Sequence, residues 1–491
     1  MSFVSGLRSL ALTAPTLLLL GSQLGAQDET PLRPSQGTAI QEILTRADEL
    51  KAVNRAIWNF AEVGLEEHRS SALLVEKLKA AGFSVKTGIS GMPTAFVASY
   101  GEGRPILGIL AEYDALPGMS QKILPQREPQ QAGAAGHACG HSGLGTGALG
   151  AVLGLKKAIE THRIRGTVRL YGTPAEETVI GKVYMTLDGQ FDDLDACLHW
   201  HPSSKNRAWA GSSKALVSAK FTFDGTAAHA SVSPHSGRSA LDAVELMNIG
   251  ANYMREHIKE DARIHYVIID GGGAPNVVPP QATVWYFCRA DVHADVEYNF
   301  RWLRDIAAGA AKMTRTQLSV KIDTDCHEII PNGPLSELLT RNLIKIGAPK
   351  FSDEERAFAR RLQAPLTEQF GTRFPLAIDD RVHRTVANPP PGKGSTDVGD
   401  ISWRVATGGL STACLCAESP GHSWQNVAAI GSPIGEKGIL YAAKTLAATA
   451  LDLLENPVYL KAAKADWQAR MKGREYFSFI PDKQPVPKQI R

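Results

Sequence analysis

The segment TVRLYGTPAEE, residues 167–177, decides the expected fold, because a short β-rich run ends directly in two adjacent carboxylates. An apolar helical stretch over 143–160 precedes it, and another β-rich run over 195–200 follows. This alternation of strand and helix predicts an α/β domain with a largely parallel sheet. Polar side chains that follow such strands should lie at the carboxyl edge of the sheet, where open α/β sheets place their active sites.

A second unit interrupts this domain between residues 214 and 323. Its patterns read strand, helix, strand, strand, helix, strand, which is the βαββαβ order of a ferredoxin-like unit. The α/β pattern then resumes and includes a helical stretch over 437–454. We therefore predict an α/β catalytic domain in two parts, residues 38–213 and 324–460, with a ferredoxin-like insertion over 214–323 and a C-terminal tail over 461–491.

The composition is that of a soluble globular protein large enough for at least two domains. The chain has 491 residues, of which 43% are hydrophobic and 21% charged, whereas a typical domain has roughly 100–200 residues. The formal net charge is only +3, and the basic residues are scattered along the chain. This charge is too weak to hold a polyanion, so we expect no nucleic-acid partner.

The first 26 residues are typical of a secretory signal peptide. Arg8 is the only charged residue before Asp28, and an apolar run over 10–20 ends in four leucines. This run, interrupted by Pro15, is shorter than the ~20 residues that a bilayer span needs. We predict cleavage after Ala26 and export to the periplasm or the medium, with no membrane association after signal removal. The alternative is an uncleaved anchor.

The six cysteines do not suggest a disulfide framework. Cys414 and Cys416 lie too close together in sequence to form an obvious cross-link, and a chain of this length does not need one to fold. We predict no essential disulfide.

The segment GHACGH, residues 136–141, places two potential metal ligands, Cys139 and His141, one residue apart and directly before a helix. An extended backbone relieved by glycine can turn both side chains toward one point. Alone the pattern is a weak indication, because a buried thiol beside a helix-capping histidine is equally compatible with it.

Three further segments supply ligand types that would complete a metal site. The adjacent carboxylates Glu176 and Glu177 repel each other, and a nearby cation relieves that repulsion; a solvated acidic turn is the alternative. A strand ends in the sequence HWHP, residues 199–202, and a glycine-proline loop near the C-terminus contains His422. Cysteine, histidine and glutamate at four separate strand ends or loops together predict a metal centre.

Eight short motifs occur in an order that points to a known family. They are LAEYDALP (110–117), HACGH (137–141), TPAEE (173–177), WHP (200–202), GTAAHA (225–230), PNVVP (275–279), GSTD (394–397) and GHS (421–423). As a set they resemble the M20 metallopeptidase and amidohydrolase family, in particular its aminobenzoyl-glutamate hydrolase and aminoacylase-like branch. The resemblance covers roughly residues 40–455 and implies a zinc-peptidase-like catalytic domain with an inserted lid that dimerises, hence a homodimer.

The resemblance also implies the chemistry of the site. It makes Glu176 the general base, and it assigns two divalent ions per subunit, zinc or manganese, that share a bridging water. Such binding lowers the pKa of water toward ~7, so that Glu176 can take a proton as the water attacks an amide carbonyl. The implied metal ligands are Cys139, His141, Glu177, His201 and His422. His201 is preferred to His199 because it precedes Pro202, as the family's ligand precedes its proline.

Other implied site residues lie in the insertion and in the GSTD motif. His229 would stabilise the oxyanion from across a dimer, although an ordinary loop histidine is the alternative. Asn276 would contact the substrate, and Gly394 and Ser395 would offer backbone donors to a substrate carboxylate. For Arg289, which could pair with that carboxylate, we favour a structural role at the end of a strand.

The sequence departs from the family pattern at two places. Glu112 stands where other branches have a histidine two residues before Asp114, so Asp114 is expected to orient its loop without a neighbouring histidine ligand. Ser142 and Leu144 stand where many of these amidohydrolases have an aspartate and a second histidine, which weakens inferences about hydrogen bonds around the ligands.

These features predict metal-dependent hydrolysis of an amide bond in an N-acyl or N-aminobenzoyl amino acid. A dipeptide-like substrate with a free carboxylate is also compatible, so a dipeptidase or carboxypeptidase of the same family is the main alternative. A binding protein that has lost the chemistry is less favoured, because no implied ligand or base is missing.

Overall fold

The computed structural model describes residues 31–371, 373–386 and 389–488. The signal-peptide prediction over 1–26 lies outside the described residues. No helix in the described part of the chain is both long enough and apolar enough to cross a bilayer. All six cysteines are free thiols.

The first part of the catalytic domain contains five helices and six strands among the described residues. Three helices precede the first strand. The elements are α1 (Pro34–Thr45), α2 (Ala47–Phe60), α3 (His68–Ala80), β1 (Ser84–Thr87), β2 (Phe96–Glu102), β3 (Ile106–Ala111), α4 (His141–His162), β4 (Gly166–Gly172), α5 (Gly181–Leu187), β5 (Ala196–Ser203) and β6 (Asn206–Ala208).

The insertion and the second part of the catalytic domain follow. The insertion has β7 (Ala215–Asp224), α6 (Ala240–Met254), β8 (Arg263–Asp270), β9 (Gln281–Ala290), α7 (His293–Thr314) and β10 (Gln317–Cys326). The remainder has α8 (Gly333–Ile346), α9 (Asp353–Phe370), β11 (Val382–His383), α10 (Val398–Ser402), β12 (Thr407–Ala413), α11 (Trp424–Ile430), α12 (Pro433–Glu455) and α13 (Pro457–Met471). The predicted tail boundary at 461 therefore falls inside α13, and β10 runs three residues past the predicted end of the insertion at 323.

The catalytic domain is built on a mixed sheet of eight strands in the order β1-β2-β4-β3-β5-β12-β6-β11. Its four central strands, β4, β3, β5 and β12, are parallel, whereas β1, β2 and β6 pair antiparallel with their neighbours β2, β4 and β12. The apolar helices α4 and α12 are buried along almost their whole length. Since the central strands are parallel, their carboxyl ends meet at one edge of the sheet.

The insertion is a four-stranded antiparallel sheet in the order β10-β7-β9-β8, backed by α6 and α7. Alternate residues of β9, including Val284, Tyr286 and Cys288, are buried in the core that these helices share with the sheet. Successive strand residues point to opposite faces, so Trp285 and Phe287 belong to the other face. We call this inserted unit the lid.

Candidate metal centre and active site

Cys139 and His141 meet at the N-terminus of α4 because of the glycine between them. Gly140 has φ +91°, a left-handed conformation that side chains rarely adopt, and an added Cβ would lie 2.9 Å from Cβ of Pro202. A glycine is therefore needed where the chain turns from the loop into the helix. This turn brings the thiol and the imidazole toward the end of β5.

All five implied ligands come together at the carboxyl edge of the sheet. The potential ligand atoms of Cys139, His141 and His201 lie within 4.8 Å of one another, and so do those of Cys139, Glu177 and His422. Within these groups Cys139 Sγ lies 3.3 Å from His201 Nε2. These five residues, which we call the ligand cluster, come from three loops, a helix start and a strand end.

Asp114 orients two members of the ligand cluster. Its Oδ1 accepts a hydrogen bond from His141 Nδ1 at 2.7 Å, and its Oδ2 accepts one from the Glu177 amide at 2.8 Å. In neutral His141, donation from Nδ1 would leave Nε2 with the lone pair that a metal needs, and Nε2 is buried without a hydrogen-bond partner. This is the arrangement that fixes a histidine for metal binding. Although burial alone would raise it, the neighbouring His141 lowers the pKa of Asp114.

The loop that contains the two glutamates is held in a strained conformation. Ala175 has φ +57°, and its amide donates to Glu67 Oε1 at 2.8 Å. Gly64 packs so closely below that an added Cβ would lie 2.9 Å from the Ala175 Cα. Burial and the Asp114 carboxylate raise the pKa of Glu67 to about 8. Glu67 and Gly64 thus position Glu176 and Glu177, and no motif in the sequence pointed to them.

Buried carboxylates are concentrated around the cluster. Glu176 Oε2 lies 3.8 Å and Glu112 Oε2 3.3 Å from His141 Nε2, so these three residues form a further, fully buried group of potential ligands. Burial and then the Glu112 carboxylate raise the pKa of Glu176. Burial likewise raises the pKa of Glu177, although His141 opposes it. Crowded, buried acids of this kind require compensating positive charge.

Lys182 supplies part of that charge. Its ammonium is fully buried, 2.8 Å from Glu112 Oε1 and 2.6 Å from Asp397 Oδ1. The neighbouring Glu177 Oε1 is also buried but has no hydrogen-bond partner. The positive charge of Lys182 balances only part of the negative charge of the buried acids around the ligand cluster. Glu177 Oε1 and His141 Nε2 also lack hydrogen-bond partners, so the site is suited to binding cations. Glu112 stands where related sequences have a histidine, and Lys182 forms an ion pair with it. The sequence patterns did not indicate this ion pair.

The structure separates the two histidines of HWHP. His201 Nδ1 donates to the Pro202 carbonyl at 2.7 Å, which leaves Nε2 directed at Cys139. Burial and the nearby His141 lower the pKa of His201 to about 4, so it is neutral at pH 7, the form that binds metals. His199 belongs to none of the groups of potential ligands among the described residues. Its ring packs edge-on against Trp209, and its Nε2 lies 3.8 Å from Glu112 Oε1.

The two implied lid residues lie together but apart from the ligand cluster. His229 and Asn276 are exposed, and their loops pair through the Ala230 amide, which donates to the Asn276 carbonyl at 2.9 Å. His229 Nδ1 accepts from the amides of Ser231 and Val232. Among the described residues, no hydrogen bond or ion pair joins His229 or Asn276 to the ligand cluster.

The GSTD motif lies against the end of β9. The carbonyl of Gly394 accepts from the Lys214 amide at 2.9 Å, and Ser395 Oγ lies 3.5 Å from Nη1 of Arg289. The Arg289 side chain is half-buried, its Nε is buried without a hydrogen-bond partner, and no carboxylate in the described part of the chain forms an ion pair with it. Burial lowers the pKa of Arg289. The guanidinium also lies over the Phe287 ring, 5.3 Å from its centroid, a cation–π contact that fits the structural role expected from the sequence.

The chain is similar in sequence to known hydrolases. A family model described as a peptidase dimerisation domain matches residues 212–314. The chain is 38% identical over 456 residues to one of the subunits of p-aminobenzoyl-glutamate hydrolase of Escherichia coli (strain K12), covering 88% of this chain and 94% of the relative. It is 29% identical over 477 residues to Xaa-Arg dipeptidase of Mus musculus, covering 92% and 99%.

The fold also matches solved structures. One is a dinuclear metal-binding peptidase of the M20 family from Bacillus subtilis, with a TM-score of 0.54 and 17% sequence identity, covering 84% of this chain and 99% of the other. At this identity the likeness establishes the fold alone, including the catalytic domain with its inserted lid.

Proposed function

We propose that this chain, which belongs to the M20 family of peptidases and amidohydrolases and is an amide-bond hydrolase, cleaves N-aminobenzoyl or other N-acyl amino acids. The family resemblance, the fold class and the hydrolase activity predicted from the sequence are thereby confirmed. The acyl preference is supported by the E. coli relative, whose name specifies p-aminobenzoyl-glutamate. The Xaa-Arg dipeptidase relative supports dipeptides as the second candidate substrate class.

The ligand cluster beside Glu176 is the main structural support for this function. Its thiol, imidazole and carboxylate groups are the donors that zinc prefers, while manganese is compatible with the oxygen and nitrogen ligands. The two groups of ligand atoms that share Cys139 support two divalent ions per subunit, as does the solved dinuclear peptidase of the family. One group consists of Cys139, His141 and His201, and the other of Cys139, Glu177 and His422.

Glu176 is the residue that moves the proton in this proposal. Bound divalent ions would polarise the amide carbonyl and make water more acidic. Glu176 lies beside the cluster but belongs to neither of the two groups that share Cys139, so its carboxylate can accept the proton of the attacking water. It then delivers that proton to the leaving nitrogen. His141, oriented by Asp114, keeps the geometry of the cluster constant through both transfers.

Arg289 and Ser395 are proposed to bind the free carboxylate of the substrate. An arginine presents paired N–H donors that match a carboxylate. The guanidinium of Arg289 has no acidic partner among the described residues, and its Nε is unpaired. The Ser395 hydroxyl lies beside it. Gly394 would contribute through its backbone, as the family resemblance implied.

We further propose that the active form is a homodimer joined through the lid. Strand β8 is an edge strand, and it exposes apolar side chains, with Val267 52% and Ile269 49% exposed. An apolar edge of this kind is a pairing surface. A partner lid could then bring His229 and Asn276 to the ligand cluster. The E. coli relative is named as one subunit of its enzyme, so a complex with a different chain is the alternative to a homodimer. Native mass measurement should distinguish the two.

Export remains a proposal supported by the sequence of residues 1–26. N-terminal sequencing of the protein recovered from the periplasm or medium tests it, and a mature chain beginning at Gln27 is the expected result.

The proposed function is tested by product analysis with and without metal. We expect release of 4-aminobenzoate from N-(4-aminobenzoyl)-glutamate, complete loss of turnover after dialysis against a strong chelator, and recovery when zinc or manganese is returned. Two ions per chain should be found in the active form. Full activity in protein verified to be metal-free would contradict the proposal, and cleavage of dipeptides alone would favour the second candidate.

A further inference from the structure

A cavity of about 430 Å³ lies between the lid sheet and the catalytic domain, next to the ligand cluster. Val63, Leu116 and Ile180 line it from the catalytic domain, and Trp285 and Phe287 line it from the lid. Glu177 also belongs to its wall, so the cavity opens directly at a proposed metal ligand. Its volume is in the range of roughly 300–1,000 Å³ that small-molecule sites occupy.

The aromatic wall of the cavity is rigid. The indole Nε1 of Trp285 donates to Ser218 Oγ at 2.8 Å. The Trp285 and Phe287 rings meet edge to face, with centroids 5.3 Å apart and an interplanar angle of 82°. Both side chains project from the face of β9 that is turned away from the lid helices. Two fixed aromatic rings form a surface on which another aromatic ring can pack with little loss of side-chain entropy.

A buried acceptor completes the cavity wall. Asp323 of β10 is only 1% exposed, yet its Oδ1 has no hydrogen-bond partner. Its Oδ2 lies 3.2 Å from Lys220 Nζ. A buried carboxylate oxygen without a donor is costly, and a ligand that brings an N–H group into the cavity would remove that cost.

We propose that this cavity binds the acyl group of the substrate, and that Trp285, Phe287 and Asp323 select an amino-substituted benzoyl group over an aliphatic acyl group. The inference rests on the proposed function and specifies its substrate class. A carbonyl held beside Glu177 would direct its ring against Trp285 and Phe287, and the ring amine would donate to Asp323.

The position of Arg289 agrees with this orientation. Arg289 follows Trp285 by four residues on the same face of β9, which is about 13 Å along the strand. One face of one lid strand would therefore bind both ends of the substrate, with the aromatic group at Trp285 and the amino-acid carboxylate at Arg289. The scissile amide of such a substrate would lie between these two ends.

The test compares two substrates that share the same leaving amino acid, N-(4-aminobenzoyl)-glutamate and N-acetyl-glutamate. Trp285→Ala should lower the ratio of their kcat/KM values by about 10-fold or more, because only the aromatic substrate loses ring contacts. Trp285→Phe, which keeps a ring, should retain most of the preference. Thr283→Ala is the matched control, since Thr283 lies on the same face of β9, pairs with Thr222 and is not among the residues that line the cavity.

Asp323 is tested with a second substrate pair, N-(4-aminobenzoyl)-glutamate and N-benzoyl-glutamate, which differ only in the ring amine. Asp323→Asn should lower the preference for the aminobenzoyl substrate by roughly 5-fold, because a neutral acceptor replaces a charged one. An unchanged ratio would remove Asp323 from the proposal.

Inhibition by 4-aminobenzoate provides a readout that does not depend on turnover of two substrates. Its inhibition constant should rise about 10-fold in Trp285→Ala protein whose melting temperature matches that of the wild type. If the wild type cleaves both substrates and Trp285→Ala changes neither the ratio nor the inhibition constant, the aromatic subsite is refuted while the proposed function stands. If the wild type cleaves neither substrate, the proposed function itself has failed.

Discussion

The ligand cluster of the catalytic domain and the His229–Asn276 pair of the lid differ in how far one chain completes them. In the cluster, His141 is fully buried and its ring is fixed by Asp114. In the lid, His229 and Asn276 are exposed, and their hydrogen bonds are local ones within the lid. The first region is organised to bind metal within a single chain, whereas the second has side chains available for something outside that chain.

This difference separates two requirements of catalysis. Metal binding needs deprotonated ligands held at fixed distances, which buried side chains with hydrogen-bonded neighbours provide. Stabilisation of the oxyanion needs a donor that reaches the reacting carbonyl, and the lid can provide one only from a position near the cluster. We infer that each chain supplies its own metal site and that a partner's lid completes it.

The largest effect expected in the catalytic domain comes from Glu176→Gln, next to the ligand cluster. This change should lower turnover by at least ~10²-fold, the low end of general-base contributions, while metal content and substrate binding are retained. Glu177→Gln is the matched control in the same loop and should instead lose metal. Steady-state kinetics together with metal analysis of both variants checks the assignment.

The opposite pattern would reverse the roles of the two glutamates. If Glu176→Gln lost metal and Glu177→Gln kept it with slow turnover, the base and the ligand would be exchanged.

A smaller effect is expected from Asp114→Asn, which removes the carboxylate that orients His141. Metal affinity should fall about 10- to 100-fold, as is typical when such an outer partner is lost, with much of the turnover restored at saturating metal. Competition with a chelator measures the affinity. Asp400→Asn is the control, because Asp400 is another buried carboxylate beside a histidine, His327, but lies outside the cluster. Equal metal affinity in wild type and Asp114→Asn would show that the cluster does not depend on this hydrogen bond.

The parts of the site that could be predicted from sequence are those encoded by adjacent residues. The turn at Gly140 and the acidic pair Glu176-Glu177 are local patterns, and the alternation of strands and helices placed both at one sheet edge. Family motifs then added His201 and His422, whose mutual distances no local pattern contains. The βαββαβ order of the lid was equally readable, because each of its elements is long and regular.

Contacts between distant segments could not be predicted in this way. Lys182 lies against Asp397, 215 positions away in the chain, and nothing near Lys182 in sequence indicates a buried ion pair. Whether Arg289 pairs with an acidic side chain could not be predicted either, because such a partner would come from a distant segment of the chain. The same holds for the cavity at Trp285, whose walls come from both domains and become adjacent only when the lid is in place.

Complementation tests whether the metal site of one chain is completed by the lid of the other chain. Glu176→Ala and His229→Ala proteins should each be inactive alone and should recover activity when unfolded and refolded together. Random pairing makes half of the dimers mixed, and each mixed dimer has one intact site, so recovery should approach roughly a quarter of wild-type activity. No recovery, despite mixed dimers demonstrated by native mass, would show that the partner's lid does not complete the site and would place His229 in its own chain's site or outside catalysis.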